Sequence, residues 1–190
     1  MTVPGRDRQG RGMVDCKDLC QRLESDDPDA LRDAAFEAGE HGCLDAIPFL
    51  ARLLCSNNLG VQEAADRALR KIGGKQVVAA IKPLLRSDDA PARNAAMDIL
   101  RDVGAQDFPT LLELLHDSDP DIRIFASDIL GSVDSLLAVT PLCEALLKDP
   151  EVNVRYQAAV SLGELAFSEA SACLGKALGD DEWVQFAVIE

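Results

Sequence analysis

The sequence predicts an all-α protein, a right-handed α-solenoid (an α-α superhelix) of about six helix pairs. The first observation is a repeat: DPEVNVRYQAAVSLGEL at 149–165 recurs in related form every 30 to 32 residues. Periods of about 20–50 residues are typical of solenoids and other repeat arrays. The second observation is composition, because hydrophobic residues make up 47% of the 190 residues and aromatic residues only 4%. Abundant Ala and Leu with so few aromatic rings favour closely packed helices over a sheet.

Each repeat contains a turn followed by an arginine or glutamine, which we call the anchor residue. An Asp, Asn or Ser in the turn, with Pro nearby, predicts the N-terminal cap of the helix that carries the anchor. VQEAADRALRKIG at 61–73 is one such second helix, and IPFLARLL at 47–54 is the first helix of the same pair. The anchor residues are Arg32, Gln62, Arg93, Arg123, Arg155 and Gln185.

The repeat array is predicted to cover 13–190, after a flexible, locally basic N-terminal tail at 1–12. The tail carries arginines with no apolar stretch after them, so a secretory signal is not expected. The first helix of the array is predicted within VDCKDLCQRL at 14–23. At the other end, WVQFAVIE stops midway through the second helix of the sixth pair. This ending predicts an incomplete last repeat and a natural array that continues past Glu190.

Alanine occupies one predicted core position in five successive second helices. A small side chain there lets neighbouring helices approach closely, and a much larger one would force them apart. A separate feature is Pro83, which lies later in its helix than the prolines of other first helices, so the helix at 76–86 is expected to be kinked or broken. The alanines are Ala35, Ala65, Ala96, Ala126 and Ala158.

The pattern DPxVRxxAAxxLGxL after a PxLLxxLL helix resembles the HEAT repeat, in the bilin-lyase-like (PBS lyase) HEAT-like subclass common in bacteria. The resemblance covers 13–190. It implies a ladder of hydrogen-bonded ion pairs that links adjacent repeats, in which the arginines are structural and not catalytic. Repeat 2 would replace the ion pair by Ser56 and Gln62. The implied ladder residues are Asp26, Arg32, Asp88, Arg93, Asp117, Arg123, Asp149 and Arg155.

Charge and cysteine content restrict the classes of partner. The net charge of −14 argues against nucleic acid and anionic membrane surfaces as partners. No apolar run reaches the roughly 20 residues needed to span a bilayer. The six cysteines form no CxxC pair, and most lie among apolar helical residues, where free cysteine packs as a small hydrophobe. A reduced, cytoplasmic protein is therefore expected.

No catalytic residue, metal site or cofactor is predicted. The only histidines, His41 and His116, lie in different repeats. The deoxyhypusine hydroxylases, a HEAT-like enzyme family, build a di-iron site from repeated His-Glu pairs. Neither histidine of this sequence is followed by Glu. Cys16 and Cys20 stand four residues apart on a helix, a spacing that suits a metal, but core packing is the favoured interpretation. No glycine-rich phosphate-binding motif occurs.

One face of the second helices is predicted to bind a partner, since the resemblance implies that these helices line the concave side. The residue after each anchor lies on the opposite side of the helix from the buried alanines. This position is charged or polar in the first three repeats and apolar or aromatic in the last three. In chain order it holds Asp33, Glu63, Asn94, Ile124, Tyr156 and Phe186.

Exposed apolar strips that contain Tyr and Trp are typical of protein-recognition surfaces. Gly131 and Gly163 lie on the same face and are expected to leave room for a ligand. The predicted partner is a protein or peptide. The predicted partner-binding residues are Ile124, Tyr156, Val160, Trp183 and Phe186.

The sequence is compatible with three functions. The favoured one is a non-enzymatic scaffold that binds a protein or peptide on the concave face of the C-terminal repeats. The second, from the resemblance, is a bilin-lyase-like enzyme or enzyme subunit that binds a tetrapyrrole in a deep pocket with a convergent acid or cysteine. The third is a structural spacer whose concave face lacks an apolar patch. For Trp183 and Phe186, packing against each other or against further repeats also stays open.

Overall fold

The computed structural model describes residues 15–189, and within that range every regular element is a helix. The predicted all-α class of paired helices is confirmed. The predicted tail at 1–12 lies outside the described residues. The α-helices are α1 (Cys16–Arg22), α2 (Pro28–His41), α3 (Ile47–Leu53), α4 (Leu59–Ile72), α5 (Gly74–Ile81), α6 (Ala90–Val103), α7 (Phe108–Leu114), α8 (Pro120–Ser132), α9 (Val139–Lys148), α10 (Val152–Leu165), α11 (Ser171–Ala177) and α12 (Glu182–Ile189).

The chain forms two compact units, residues 1–80 and residues 81–190. In the first unit α1 packs against α2, α3 packs against α4, and the second helices α2 and α4 pack side by side. In the second unit the pairs α7–α8, α9–α10 and α11–α12 form, and the second helices α6, α8, α10 and α12 pack in chain order. Within each unit, adjacent repeats are therefore joined through their second helices.

The turns before α2, α4 and α8 provide the N-terminal caps that the sequence predicts, whereas the N-cap side chains of α6 and α10 accept no hydrogen bond from the first turn of the helix. The carboxylate of Asp27 accepts a hydrogen bond from the backbone N–H of Asp29 at 3.1 Å, and Asp119 accepts one from Asp121 at 3.0 Å. A proline follows each of these two caps, where the helix needs no backbone donor. Capping fixes where α2 and α8 begin, and hence the register of the anchor residues on them.

The five repeat alanines have no exposed surface, as their predicted core position requires. Large aliphatic side chains such as Leu50, Leu69, Ile99 and Ile129 are fully buried around them. Burial of such side chains stabilises a fold by about 1.5–3 kcal/mol each. The buried alanines therefore permit close helix packing, and the buried Leu and Ile side chains fill the core.

The segment around Pro83 is broken, as expected. The α-helix α5 ends at Ile81, and a 3-10 segment at Lys82–Arg86 continues the chain. The break follows from the proline ring, which lacks an N–H donor and clashes with the preceding helical turn. Further 3-10 segments, at Leu44–Ala46, Gly104–Asp107, Leu136–Ala138 and Ser168–Ala170, lead into other first helices.

The prediction that the cysteines are reduced is wrong for four of the six. Disulfide bonds join Cys16 to Cys43 and Cys143 to Cys173, each with a Cα–Cα distance of 5.7 Å. The cause is packing, because α1 contacts the 3-10 segment that follows Cys43, and α9 contacts α11. The sequence separations of 27 and 30 are close to one repeat, so each bond links adjacent repeats. Cys20 and Cys55 are free thiols.

Candidate functional site

Arg123 is an anchor residue whose guanidinium group is fully engaged in hydrogen bonds. Its Nε and Nη2 donate to the two carboxylate oxygens of Asp149 at 2.8 and 2.9 Å, and its Nη1 donates to the backbone carbonyl of Asp117 at 2.9 Å. The Arg123 and Asp149 side chains are only 11% and 7% exposed. The hydrogen bonds to Asp149 raise the pKa of Arg123 above its ordinary value. Arg123 therefore ties the turn of its own repeat to the turn of the next.

Arg155 repeats this geometry one repeat later. Its Nε and Nη2 donate to the carboxylate of Asp180 at 2.9 and 2.8 Å, and its Nη1 donates to the carbonyl of Asp149 at 3.0 Å. The same hydrogen bonds lower the pKa of Asp180 and raise that of Arg155. The two arginines thus form consecutive rungs that connect α8, α10 and the turn before α12.

The other two predicted anchor arginines make different contacts. Arg32 pairs with Asp29 in its own helix, at 2.5 Å, and not with Asp26. Arg93 donates from Nη1 to the carbonyl of Ser87 at 2.6 Å, and no ion pair joins it to Asp88 within the described residues. The expectation that Asp26 and Asp88 are the ladder partners of these arginines is therefore wrong.

The difference arises from the residue in each turn whose side chain accepts a hydrogen bond from the backbone N–H two residues later. Asp117 and Asp149 each accept a hydrogen bond from the backbone N–H two residues later, at 2.9 Å in both cases. In the first three repeats a serine hydroxyl accepts the equivalent bond, at 3.1 to 3.2 Å. A serine cannot pair with a guanidinium as a carboxylate does. These serines are Ser25, Ser56 and Ser87.

Asp117 is also occupied by an arginine that the sequence analysis missed. Arg86, in the 3-10 segment after α5, forms an ion pair with Asp117 and a second contact with Asp119 at 3.6 Å. The hydrogen bond from Arg86 is the main cause of the lowered pKa of Asp117. The position of Arg86 could have indicated this pair, because Arg86 directly precedes Ser87, the serine that accepts a hydrogen bond in its turn.

The structure places the five predicted partner-binding residues on three successive second helices of the second unit. Ile124 lies on α8, Tyr156 and Val160 lie on α10, and all three are half-buried. Trp183 and Phe186 on α12 are 71% and 57% exposed. None of the five is buried in the core, so all present apolar atoms to the surface.

The two glycines on this face differ from each other. A Cβ atom added to Gly131 would lie 2.8 Å from Cβ of Ser161, so the expectation that Gly131 leaves room for a ligand is wrong. Gly131 instead allows α8 and α10 to approach closely. Gly163 is exposed, and nothing lies within 4 Å of an added Cβ. Of these two glycines, only Gly163 therefore faces open space.

A groove on the first unit was missed by the sequence analysis. It lies between α2 and α4, has a volume of about 550 Å³, and is lined by both acidic and basic side chains. Phe36 on its wall is 64% exposed. Phe36 stands four residues after the anchor, whereas the sequence analysis followed only the position one residue after it. Its charged lining residues are Arg32, Asp33, Glu40, Glu63, Arg67 and Lys71.

The described part of the chain offers little for metal chemistry or membrane insertion. Within residues 15–189 no group of three or more His, Cys, Asp and Glu side chains could hold a metal ion. His41 and His116 are both exposed and lie in different units. No helix in the same range is long and apolar enough to cross a bilayer.

Comparison with known proteins identifies the repeat. A family model described as HEAT repeats matches residues 16–101, 78–159 and 108–190. The chain belongs to the HEAT-repeat family. This HEAT array is also similar to the stalled ribosome sensor GCN1 of Mus musculus and of Homo sapiens, with 27% identity over 158 residues in each case. The match covers 69% of this chain and 6% of each GCN1 sequence, so the array spans a small part of these relatives.

Several solved structures are similar to this HEAT array. Human deoxyhypusine hydroxylase in complex with glycerol is 20% identical with a TM-score of 0.49, covering 92% of this chain and 82% of that one. The complex of CpcE and CpcF of phycocyanin lyase from Nostoc sp. PCC7120 is 20% identical with a TM-score of 0.46, covering 100% and 80%. A designed armadillo repeat protein in complex with the peptide (KR)4 is 18% identical with a TM-score of 0.45, covering 93% and 97%.

Proposed function

We propose that this HEAT array is a non-enzymatic scaffold that binds a protein or peptide on the exposed face of α8, α10 and α12. One observation carries the proposal. Ile124, Tyr156 and Phe186 stand at the same position of three successive repeats, and none of them is buried. Trp183 adds a second highly exposed ring next to Phe186. Exposed apolar surface that includes Tyr and Trp is typical of recognition sites.

The ion pairs behind the face support the same proposal. Arg123–Asp149 and Arg155–Asp180 are bidentate and largely buried, so they restrict how α8, α10 and the start of α12 move relative to each other. A surface that is already rigid loses less conformational entropy when a partner binds. The ladder therefore favours a preformed binding face.

The tetrapyrrole-binding alternative requires a convergent acid or cysteine in a deep pocket. Cys20 and Cys55 are the free thiols among the described residues, and neither lies on α8, α10 or α12. Neither free thiol therefore supports that alternative on this face, whereas the exposed rings of Trp183 and Phe186 support the scaffold. Cytoplasmic location stays a prediction, and the two disulfides do not favour it, because disulfides are rare in reducing compartments.

Affinity capture from a lysate of the host, with quantified recovery, tests the scaffold. The face variant carries Tyr156→Ala, Trp183→Ala and Phe186→Ala. The matched control carries Leu137→Ala, Leu147→Ala and Leu178→Ala, which are exposed apolar residues of the first-helix side. We expect partners retained by the wild type and the control to fall at least about tenfold on the face variant, since truncated hot-spot rings cost about 2 kcal/mol or more.

Both variants must unfold cooperatively, so that loss of binding is not loss of fold. A partner that the face variant retains at the wild-type level would contradict the proposal.

A further inference from the structure

The charge of the chain is concentrated in its second unit. Residues 81–190 contain 8 Lys and Arg against 20 Asp and Glu, a net charge of −12. Residues 1–80 contain 11 Lys and Arg against 13 Asp and Glu, a net charge of −2. The unit that carries the apolar face therefore also carries −12 of the net charge of −14.

The apolar face itself has no basic side chain available for a partner. Across α8, α10 and α12 the basic residues are Arg123 and Arg155. Both guanidinium groups are held in the ladder, where Nε, Nη1 and Nη2 all donate to protein oxygens. An incoming acidic segment would meet no cation on these helices with which to pair.

Carboxylates, in contrast, are available on the same helices. Asp121, Glu164 and Glu182 are exposed, and no ion pair involves them within residues 15–189. Asp121 lies one helical turn before Ile124, and Glu182 lies one turn before Phe186, so each acid shares a helix face with an apolar residue. The face of α8, α10 and α12 thus presents both carboxylates and apolar groups.

The aromatic rings add a second attraction for cations. Trp and Tyr faces attract Lys and Arg by about 0.5–1 kcal/mol at exposed sites. Trp183 is largely exposed and directly follows Glu182 in the chain, so a ring and a carboxylate both lie in the first turn of α12. The groove between α2 and α4 in the first unit lacks this bias, because its three acids are balanced by three basic residues.

We infer that the partner held on the face of α8, α10 and α12 is a segment in which Lys or Arg alternates with apolar residues. This inference rests on the proposed function and specifies the chemistry of its partner. The apolar side chains of the segment contact Ile124, Tyr156 and Phe186. Its cations pair with Glu164 and Glu182 and lie over the Trp183 ring.

Three labelled peptides test the inference by fluorescence anisotropy with the full chain. The first repeats Leu-Lys-Ser four times, the second has Gln in place of Lys, and the third has Glu in place of Lys. We expect the Lys peptide to bind at least about tenfold more tightly than the Gln peptide, because it combines ion pairs with cation–π contacts. The Glu peptide is expected not to bind. Equal affinity for the Lys and Gln peptides would overturn the inference.

Two double variants with equal net charge separate a local site from general attraction to an acidic protein. Glu164→Gln with Glu182→Gln removes acids from the face, and Glu113→Gln with Glu169→Gln removes exposed acids from other segments. We expect the first pair to weaken the Lys peptide about tenfold and the second less than about twofold. Equal weakening by both pairs would overturn the inference.

A further variant, Trp183→Ala, distinguishes failure of this inference from failure of the proposed function. If the Gln peptide binds as tightly as the Lys peptide and Trp183→Ala weakens both, the scaffold stands and the cationic partner is wrong. If Trp183→Ala weakens none of the three peptides, both proposals fail for this face.

Discussion

Arg123 is held by hydrogen bonds to the turn of its own repeat and to the turn of the next. Replacing it with Ala would leave the carboxylate of Asp149, only 7% exposed, without its partner. Breaking a buried ion pair from one side costs about 3 kcal/mol or more. We expect Arg123→Ala to lower the free energy of unfolding by about 3 kcal/mol, measured by urea denaturation.

The matched control is Arg32→Ala at the equivalent position of the first repeat. Arg32 pairs with Asp29 on the surface, where the two side chains are 48% and 77% exposed. Such exposed pairs contribute about 0–1 kcal/mol. Equal losses for the two variants would contradict the difference between a ladder arginine and a surface arginine.

Asp180 gives the ladder a pH dependence. Its pKa is held below the ordinary value chiefly by hydrogen bonds from Arg155. A carboxylate with a lowered folded-state pKa adds stability that is present above its unfolded pKa, near 4, and is lost as pH falls through the folded pKa. We expect Asp180→Asn to reduce stability at neutral pH but to flatten its decline below about pH 4. Urea midpoints from neutral pH to about pH 2 measure this, and parallel curves would contradict it.

At the scale of the elements, helix spacing is tested by a pair of glycines in adjacent second helices. Gly131 faces Ser161 with no room for a Cβ, whereas Gly163 faces open space. We expect Gly131→Ala to destabilise by about 1–3 kcal/mol through overpacking between α8 and α10. We expect Gly163→Ala to stabilise by about 0.5–1 kcal/mol, since Ala is the better helix former. Thermal melts of both variants test this, and shifts of the same sign would contradict it.

The two disulfide bonds determine which cysteines can be alkylated before reduction. They close loops with separations of 27 and 30 residues, and each contributes about 3.6 kcal/mol in the chain-entropy account. We expect alkylation in denaturant without reductant to label only Cys20 and Cys55, and reduction to expose all six thiols and lower the melting temperature. Labelling of six cysteines before reduction would contradict the pairing.

At the scale of the whole molecule, the sequence predicted what depends on local pattern. Repeat period and capping residues determine where helices start, and the alanine position determines the buried side, so helix pairs and core were predictable. The ladder register was not, because a charge at Asp88 was favoured over Ser87, whose hydroxyl accepts a hydrogen bond from the backbone N–H of Asp89. The link from Cys16 to Cys43 depends on tertiary packing of α1, which the pattern does not encode.

The proposed binding face was also predictable only in part. Helical periodicity places Ile124, Tyr156 and Phe186 on the side away from the buried alanines. The exposed fraction of each ring depends on how α10 and α12 pack, and the close approach at Gly131 depends on the neighbouring helix. Phe36 was missed because its groove is formed by two helices together.

The central claim is that a partner contacts the face of α8, α10 and α12, and photo-crosslinking tests it most directly. A p-benzoylphenylalanine residue is placed at Phe186, at Phe36 in the other unit, or at Leu137 on the first-helix side, and each protein is irradiated in host lysate. The scaffold account predicts one discrete crosslinked partner from position 186 and none from position 137 or 36. Crosslinking from position 137 or 36 alone would contradict it.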